Sequence, residues 1–354
     1  MVNMDNPLRK YFRQPAIYLR LPSGGRNWPA NAINLPPNGE LPIYPMTAVD
    51  EITSRTPDER YRVPGAAEGD EGAGPRGTAH LAAQDLDLVL FVGDYIYETS
   101  YPNNRVRAHR GPAPKTLSEY RNQYAQYKSD PDLQASHAAH PWLLMWDDHE
   151  VVNDYANQTD PAFTDPGVFL ARRAAAYRAY FEHQPLRIGP DPASPYGASM
   201  RLHNKLHWGR LADLWTLDCR QYRDPQACPD PVKGGGRVVL QCADLAQTHR
   251  SMLGNEQEQW LYDGMRRSQR KWKILGQSTI IASTRINSPL GKTTYTDIWD
   301  GYPYARRRLL DCIANNKISD VVTLGGDVHM NVAAVLRQEP NDTSMPPVAS
   351  EFVT

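Results

Sequence analysis

Apolar and polar positions along the chain follow two different periods, which predicts strands interleaved with helices. The segment 86–93 (LDLVLFVG) is a continuous apolar run that ends in Gly-Asp, which is typical of a buried central strand. The run 141–148 (PWLLMWDD) predicts a second buried strand, and 318–329 (ISDVVTLGGDVH) predicts a third. Each run leads directly into acidic or imidazole side chains.

Helical patterns lie between these strands. The segment 116–130 opens with the capping box Thr116-x-x-Glu119, and the segment 165–185 opens with Asp-Pro and stops at a proline. Further helices are predicted at 255–272 and 305–316, a hairpin at 200–220 and a strand at 272–282. Strands that alternate with helices predict an α/β fold.

The N-terminal part of the chain differs in composition from the rest. Residues 1–57 are rich in Pro and Asn and predict short strands and turns. Residues 58–78 carry almost no large apolar side chains, so they predict a linker or a chimeric junction. The α/β pattern occupies 79–354, which we expect to form one domain.

Composition excludes several classes of function. The net charge of -1 gives no global field that would attract nucleic acid or anionic lipid, so we expect no sequence-specific nucleic-acid partner. No apolar run approaches the roughly 20 residues that span a bilayer. The N-terminus lacks the apolar core of a secretory signal peptide, so the sequence as given predicts a cytoplasmic protein.

The four cysteines all lie in the second half of the chain. Cys228 and Cys242 flank the Gly-rich segment 229–241, where a disulfide would restrain a long loop. Such bridges persist in oxidising compartments, which suggests an exported ancestor. Two free surface thiols are the alternative.

Three clusters of metal-ligating side chains follow the predicted strands: 93–98 (GDYIYE), 146–150 (WDDHE) and 326–329 (GDVH). Strand ends are where open α/β sheets build sites, and hard cations prefer oxygen ligands with some imidazole. Two metals roughly 3.5–4 Å apart clamp a phosphoryl group and activate a bound water. Asp94 is the best bridging carboxylate, and Tyr97 suits a ferric ion as phenolate.

Each cluster also has an ordinary explanation. Taken alone, Asp94 is explained equally well as a helix N-cap or as a metal ligand. Residues 147–149, taken alone, are explained equally well as a solvated turn. The occurrence of three such clusters, each at the end of an apolar strand, favours a metal site.

Several segments resemble, in order, the signature motifs of the PhoD-like alkaline phosphatase family. They are GDYIYE, 116–155, LDCRQYRD, LGNEQEQWL, WKILGQ, DIWDGYPYARRRLL and GGDVHMN. The resemblance covers about residues 79–354. It implies a metallophosphoesterase-type sandwich of two mixed sheets flanked by helices, here preceded by a short irregular or β N-terminal segment. It also implies hydrolysis of phosphate mono- or diesters by a metal-activated water or hydroxide.

The resemblance assigns roles to the strand-end clusters, with Fe³⁺ and Ca²⁺ as the implied metals. Asp94 would bridge the metals, and Tyr97 would bind iron. Asp148 and His149 stand where related phosphoesterases place a metal ligand and a histidine that steadies the transition state. Asp94 and His149 are therefore the catalytic candidates. The metal shell would be completed by Asp147, His149, Asp327 and His329.

Three basic side chains are candidates for contact with the substrate. Arg107 and His109 follow the first cluster, and Arg220 lies in LDCRQYRD. For Arg220, a surface or interdomain ion pair is the alternative.

The sequence departs from the family pattern at both ends of the domain. The family carries a cysteine ligand for iron before GDYIYE, whereas no cysteine precedes Cys219 here. The segment 348–354 (VASEFVT) resembles the start of a longer family segment, so we expect the domain to be incomplete at both ends.

Residues 1–57 resemble the opening of baseplate hub assembly proteins of contractile-tailed phages. The match is carried by LPSGG, a Trp-Pro pair and PMTAVDEITSRTPD. It implies a chimera with a phage baseplate partner. The alternatives to a working phosphoesterase are then a catalytically impaired chimera or a structural protein of the baseplate.

Overall fold

A computed structural model describes residues 16–19, 76–100, 108–285, 287–288, 291–340 and 342–354. The strands are β1 (Ala16–Leu19), β2 (Leu88–Phe91), β3 (Trp142–Leu144), β4 (Asn204–Trp208), β5 (Ala212–Thr216), β6 (Val238–Val239), β7 (Trp272–Gly276), β8 (Asn287–Ser288), β9 (Gly291–Lys292), β10 (Thr294–Tyr295), β11 (Val321–Gly325), β12 (Val332–Leu336) and β13 (Ala349–Val353). Apart from β1, the predicted segment 1–57 lies outside the described residues, as do Arg107 and most of the predicted linker.

Six helices surround the strands in the described part of the chain: α1 (Arg76–Ala82), α2 (Leu117–Lys128), α3 (Pro131–Ala139), α4 (Pro166–His183), α5 (Asn255–Arg267) and α6 (Pro303–Asn315). Two of the predicted starts show local capping chemistry. Thr116 and Glu119 form the predicted capping box of α2, and Asp165 caps α4 with Pro166 in its first turn. None of these helices combines the length and apolar character needed to cross a bilayer.

Two mixed sheets form the centre of the fold. The smaller has the order β1-β2-β3, in which β2 and β3 are parallel and β1 is antiparallel to β2. The larger has the order β12-β13-β11-β7-β5-β4. Its four inner strands are parallel, and its two edge strands are antiparallel to their neighbours.

The two sheets pack face to face, and helices cover their outer faces. Leu88 and Leu90 of β2 pack with Leu214 and Ile274 of the larger sheet, because alternate residues of a strand share a face. Phe91, on the other face of β2, packs among residues of α2, α3 and α4. Each such buried side chain contributes roughly 1.5–3 kcal/mol.

The outer face of the larger sheet is covered in the same way. Trp215 of β5 and Leu275 of β7 lie in one core with residues of α5 and α6. The predicted sandwich of two mixed sheets flanked by helices is confirmed.

A disulfide joins Cys228 to Cys242, with their Cα atoms 6.0 Å apart. The alternative of two free thiols at these positions is therefore wrong. The bridge closes the loop that contains β6, which pairs with β10 to form a short two-stranded ribbon.

Candidate metal centre

The side chains of the first and third clusters stand on turns with unusual backbone conformations. Asp94, directly after Gly93, has φ of +60°, and Asp327 and His329 have φ of +69° and +54°. Non-glycine residues in this left-handed region cost of order 1 kcal/mol or more, and such residues concentrate at functional sites. These turns aim the carboxylates back across the strand ends.

Gly93 allows the first two clusters to touch. A Cβ atom at Gly93 would lie 2.5 Å from Cβ of Asp147 and 2.7 Å from its backbone nitrogen. Any larger residue at 93 would therefore push the GDYIYE turn away from the WDDHE turn.

The three predicted clusters meet around Asp148. Ligand atoms of Asp94, Asp148 and His149 lie within 4.8 Å of one another, as do those of Asp147, Asp148 and Asp327. A third group with the same spacing consists of Asp148, Asp154 and Asp297. Asp148 belongs to all three groups and therefore marks the centre of the site.

Two buried carboxylate oxygens at this centre lack a hydrogen-bond partner among the described residues. They are Oδ1 of Asp94 and Oδ1 of Asp148. A buried, unpaired carboxylate oxygen is costly unless it meets a cation. An oxygen-rich donor set with one imidazole suits hard cations such as calcium, so the residues present fit a metal site.

Tyr97 connects the first cluster to the third. Its phenol donates to Oδ2 of Asp94 at 3.0 Å and lies 3.3 Å from Nε2 of His329. Its ring lies over the imidazole of His149, with centroids 4.2 Å apart. Burial, together with Asp94, raises the pKa of the phenol well above its ordinary value.

Helix α2 holds the peptide of Tyr97 on both sides. The Tyr127 hydroxyl accepts a hydrogen bond from the Tyr97 amide at 3.2 Å, and Nε2 of Gln123 donates to the Tyr97 carbonyl at 2.8 Å. The predicted substrate candidate His109 contacts the same Tyr127 hydroxyl through Nε2 at 3.2 Å. The structure thus places His109 beside Tyr127, which holds the amide of Tyr97. Contact of His109 with substrate stays a prediction.

Glu98 orients His149. Its Oε2 lies 2.6 Å from Nδ1 of the imidazole, while its Oε1 accepts the amide of Asn153 at 3.1 Å. Burial opposes protonation of His149, but the carboxylates of Asp148, Asp94 and Glu98 outweigh it and raise its pKa well above the ordinary value. In the metal-free site these carboxylates therefore favour the protonated imidazole of His149.

Arg220 lies inside the carboxylate cluster. Its Nε and Nη2 donate to the two oxygens of Asp147 at 2.6 and 2.7 Å, and its Nη1 donates to Asp297 at 2.7 Å. It also lies 3.5 Å from Asp148 and 3.6 Å from Asp327. The guanidinium is buried, so the alternative of a surface ion pair does not describe it, and its contact with substrate stays a prediction.

The carboxyl groups of the site differ in their charge. Burial raises the pKa of Asp94 and of Asp327 well above the ordinary value. At Asp148 burial acts in the same direction, but Arg220 and His149 outweigh it and lower the pKa. The charged form is therefore favoured at Asp148 and disfavoured at Asp94 and Asp327.

Two carboxylates of the site were not predicted from the sequence. Asp154 donates its amide to Oδ2 of Asp148 at 2.6 Å, and Asp297 pairs with Arg220 and Arg223. Both lie within motifs noted above, 116–155 and DIWDGYPYARRRLL, but neither follows an apolar run. Only their position within these family motifs could have indicated that Asp154 and Asp297 belong to the site.

Comparison with known proteins agrees with this geometry. Residues 72–354 match the family of PhoD-like phosphatases. Alkaline phosphatase D of Bacillus subtilis (strain 168) is 41% identical over 280 residues, which cover 77% of this chain and 46% of that protein. A solved structure described as the structure of PhoD is similar with a TM-score of 0.73 and 39% identity, covering 78% of this chain and 52% of that chain.

The chain thus spans about half the length of the relatives that it matches. Because the family match covers most of the chain and includes all three strand-end clusters, the chain belongs to the PhoD-like phosphatase family.

Proposed function

We propose that the domain hydrolyses phosphate mono- and diesters at the centre around Asp148. The observation that carries this proposal is the convergence of three strand-end clusters, which leaves buried oxygens of Asp94 and Asp148 without hydrogen bonds among the described residues. Family membership supports an ester-hydrolysing enzyme.

Calcium and iron are the proposed metals, held by the side chains predicted from the sequence. Bound cations would supply an activated water or hydroxide and would neutralise charge on the phosphoryl group. Asp94 and Asp148 offer free oxygens to calcium. Asp94, Tyr97 and His329 offer iron a carboxylate, a phenol and an imidazole.

The cysteine that binds iron in the family pattern has no counterpart beside Asp94, Tyr97 and His329. Cys219 is buried, and its Sγ points to Oε1 of Gln277 at 3.8 Å. The donor set near Tyr97 therefore consists of oxygen and nitrogen atoms. Its phenol and imidazole suit iron, whereas the free carboxylate oxygens of Asp94 and Asp148 suit calcium.

His149 is proposed to stabilise charge that develops on the phosphoryl oxygens. Its imidazole is fixed by Glu98, and a ring nitrogen lies within 4.8 Å of carboxylate oxygens of Asp94 and Asp148. A preoriented hydrogen-bond donor in a buried site is worth more than one in water, because no reorganisation is needed during the reaction.

Substitution of Asp94 tests the proposal. The Asp94→Asn variant is expected to lose metal-dependent hydrolysis of p-nitrophenyl phosphate and bis-(p-nitrophenyl) phosphate, and to bind less calcium and iron by elemental analysis. The matched control is Asp263→Asn, on the exposed face of α5, which should behave as the unmodified chain. Unchanged turnover by Asp94→Asn would sink the proposal.

We also propose the division into 1–57, 58–78 and 79–354, with a phage baseplate partner for the first part. This division is supported by the change in composition and by the motifs of 1–57. A pull-down of the full chain with baseplate proteins tests the partner, and failure to bind any of them counts against it.

The Cys228–Cys242 bridge supports a location in an oxidising compartment. This differs from the cytoplasmic location that we expected from the N-terminus.

A further inference from the structure

The ribbon of β6 and β10 borders the carboxylate cluster directly. The amide of Gly236 donates to Oδ2 of Asp154 at 2.9 Å. A Cβ atom at Gly236 would lie 2.4 Å from Cβ of Asp297, so the backbone of the loop touches that residue. The ribbon is thus one wall of the proposed site.

The two faces of the ribbon differ in exposure. Thr294 opposite Val239 forms a face in which both residues are 5% exposed. Tyr295 opposite Val238 forms the other face, where these residues are 36% and 56% exposed. Directly opposite residues of an antiparallel pair share a face, so Tyr295 and Val238 lie side by side.

The exposed pair lies next to the cluster along the chain. Tyr295 precedes Asp297 by two residues, and the pairing with the loop continues between them through the Thr296 amide and the Arg237 carbonyl at 3.0 Å. The same register places position 236 opposite Asp297, which agrees with their close approach. Burial and the nearby carboxylates, Asp297 first, raise the pKa of the Tyr295 phenol above its ordinary value, which agrees with a hydroxyl at the edge of the cluster.

Leu240 adds a further exposed apolar side chain directly after the end of β6. Val238, Leu240 and Tyr295, here called the ribbon wall, place an apolar surface next to an acidic one. The Cys228–Cys242 bridge spans the loop that carries two of the three.

We propose that the ribbon wall binds the organic group of the phosphate ester and that Tyr295 determines preference for an aromatic group. This inference rests on the proposed function. A phosphate ester joins a charged phosphoryl group, which belongs at the cations, to an organic group one bond away. A wall that adjoins the cluster is within reach of that group, and a tyrosine ring offers it a stacking surface.

Two non-hydrolysable probes test the wall without turnover. Phenylphosphonate and methylphosphonate carry the same charged group and differ in the organic one. Calorimetric titration of the calcium-loaded full chain should show tighter binding of phenylphosphonate. The ratio of the two affinities should fall about fivefold in Tyr295→Ala and stay within twofold of the unmodified ratio in Tyr295→Phe.

Tyr304→Ala is the matched control, since Tyr304 is similarly exposed (41%) but lies at the start of α6, outside the ribbon. It should leave the ratio unchanged. If Tyr295→Ala fails to fold by circular dichroism, the exposed Val238→Ser substitution, expected to lower the ratio about twofold, replaces it.

The outcomes separate the two proposals. Equal ratios in the unmodified chain and in Tyr295→Ala, with both probes bound, would overturn the ribbon wall and leave phosphate-ester binding intact. Binding of neither probe by the unmodified calcium-loaded chain would overturn both. A ratio that falls equally in Tyr304→Ala would show a general loss of structure and would also overturn the wall.

Discussion

Arg220 donates two parallel hydrogen bonds to Asp147, from Nε to Oδ1 at 2.6 Å and from Nη2 to Oδ2 at 2.7 Å, and both side chains are buried. Asp148, the next residue, lies 3.5 Å from the same guanidinium and keeps its Oδ1 free of hydrogen bonds among the described residues. Two adjacent aspartates thus have different surroundings. Both oxygens of Asp147 accept hydrogen bonds from Arg220, whereas one oxygen of Asp148 is left for a metal.

Asparagine substitutions should separate these two roles. Asp147→Asn breaks a buried pair, which typically costs about 3–5 kcal/mol, and should lower the free energy of unfolding with a modest loss of calcium affinity. Asp148→Asn should lower calcium affinity at least about tenfold and destabilise the metal-free chain less than Asp147→Asn does, because Asp148 has the weaker ion pair with Arg220. Urea unfolding and calcium calorimetry measure both. Equal calcium affinities in the two variants would contradict the assignment.

Gln123 should affect activity through Tyr97. Its Nε2 donates to the Tyr97 carbonyl at 2.8 Å, and its loss leaves that carbonyl without this partner, at a cost of about 1–2 kcal/mol. Gln123→Ala should lower kcat/KM several-fold and weaken iron binding, because the phenol loses its fixed position. Gln126→Ala on the same helix removes a comparable bond to the Ala108 carbonyl and is the control. A similar loss in both variants would indicate destabilised α2 instead.

Much of this architecture could be predicted because its signals are local. Thr116 and Glu119 mark the start of α2, and the apolar run before Gly93 marks β2. Helix α3 was missed, although Asp130 and Pro131 give it the same start signal that was used for α4. Its nine residues are too few to show a clear apolar period beside that signal.

The site could be predicted only in part, for a related reason. Carboxylates that follow apolar strands, such as Asp94 and Asp327, are visible in the sequence because strand ends converge. The partner of Asp147 is not visible, since Arg220 lies 73 residues away and nothing local marks the contact. Long-range ion pairs decide which aspartates remain free, and this pairing becomes clear only in the folded chain.

Stability of the metal-free chain should fall as pH rises. Burial raises the pKa of Asp94 and Asp327 well above the ordinary value, and that of Asp154 to about 7. A carboxyl with a raised pKa in the folded state contributes stability fully present below its unfolded pKa of about 4, and this is lost as pH rises through the folded value. The lowered pKa values of Asp148 and Asp297 act in the opposite direction, but only below their unfolded pKa of about 4.

Calcium should reverse this trend, because it binds the ionised carboxylates and releases their protons. Urea unfolding between pH 4 and 8, with chelator or with calcium, measures the difference in the free energy of unfolding. The stabilisation by calcium should increase across this range. A constant increment would show that the raised carboxyls do not bind the metal.

The disulfide should stabilise the domain and hold the ribbon against the site. Cys228 and Cys242 are 14 residues apart, and a bridge over a loop of about that length contributes roughly 3 kcal/mol. The Cys228→Ser/Cys242→Ser double variant should therefore unfold at lower urea under oxidising conditions, and reduction should lower the unmodified chain to the same level without changing the variant. The loop also carries the Gly236 amide that binds Asp154, so calcium affinity should fall with the bridge. Loss of stability without any loss of calcium affinity would show that the bridged loop stabilises the fold but does not position the carboxylates.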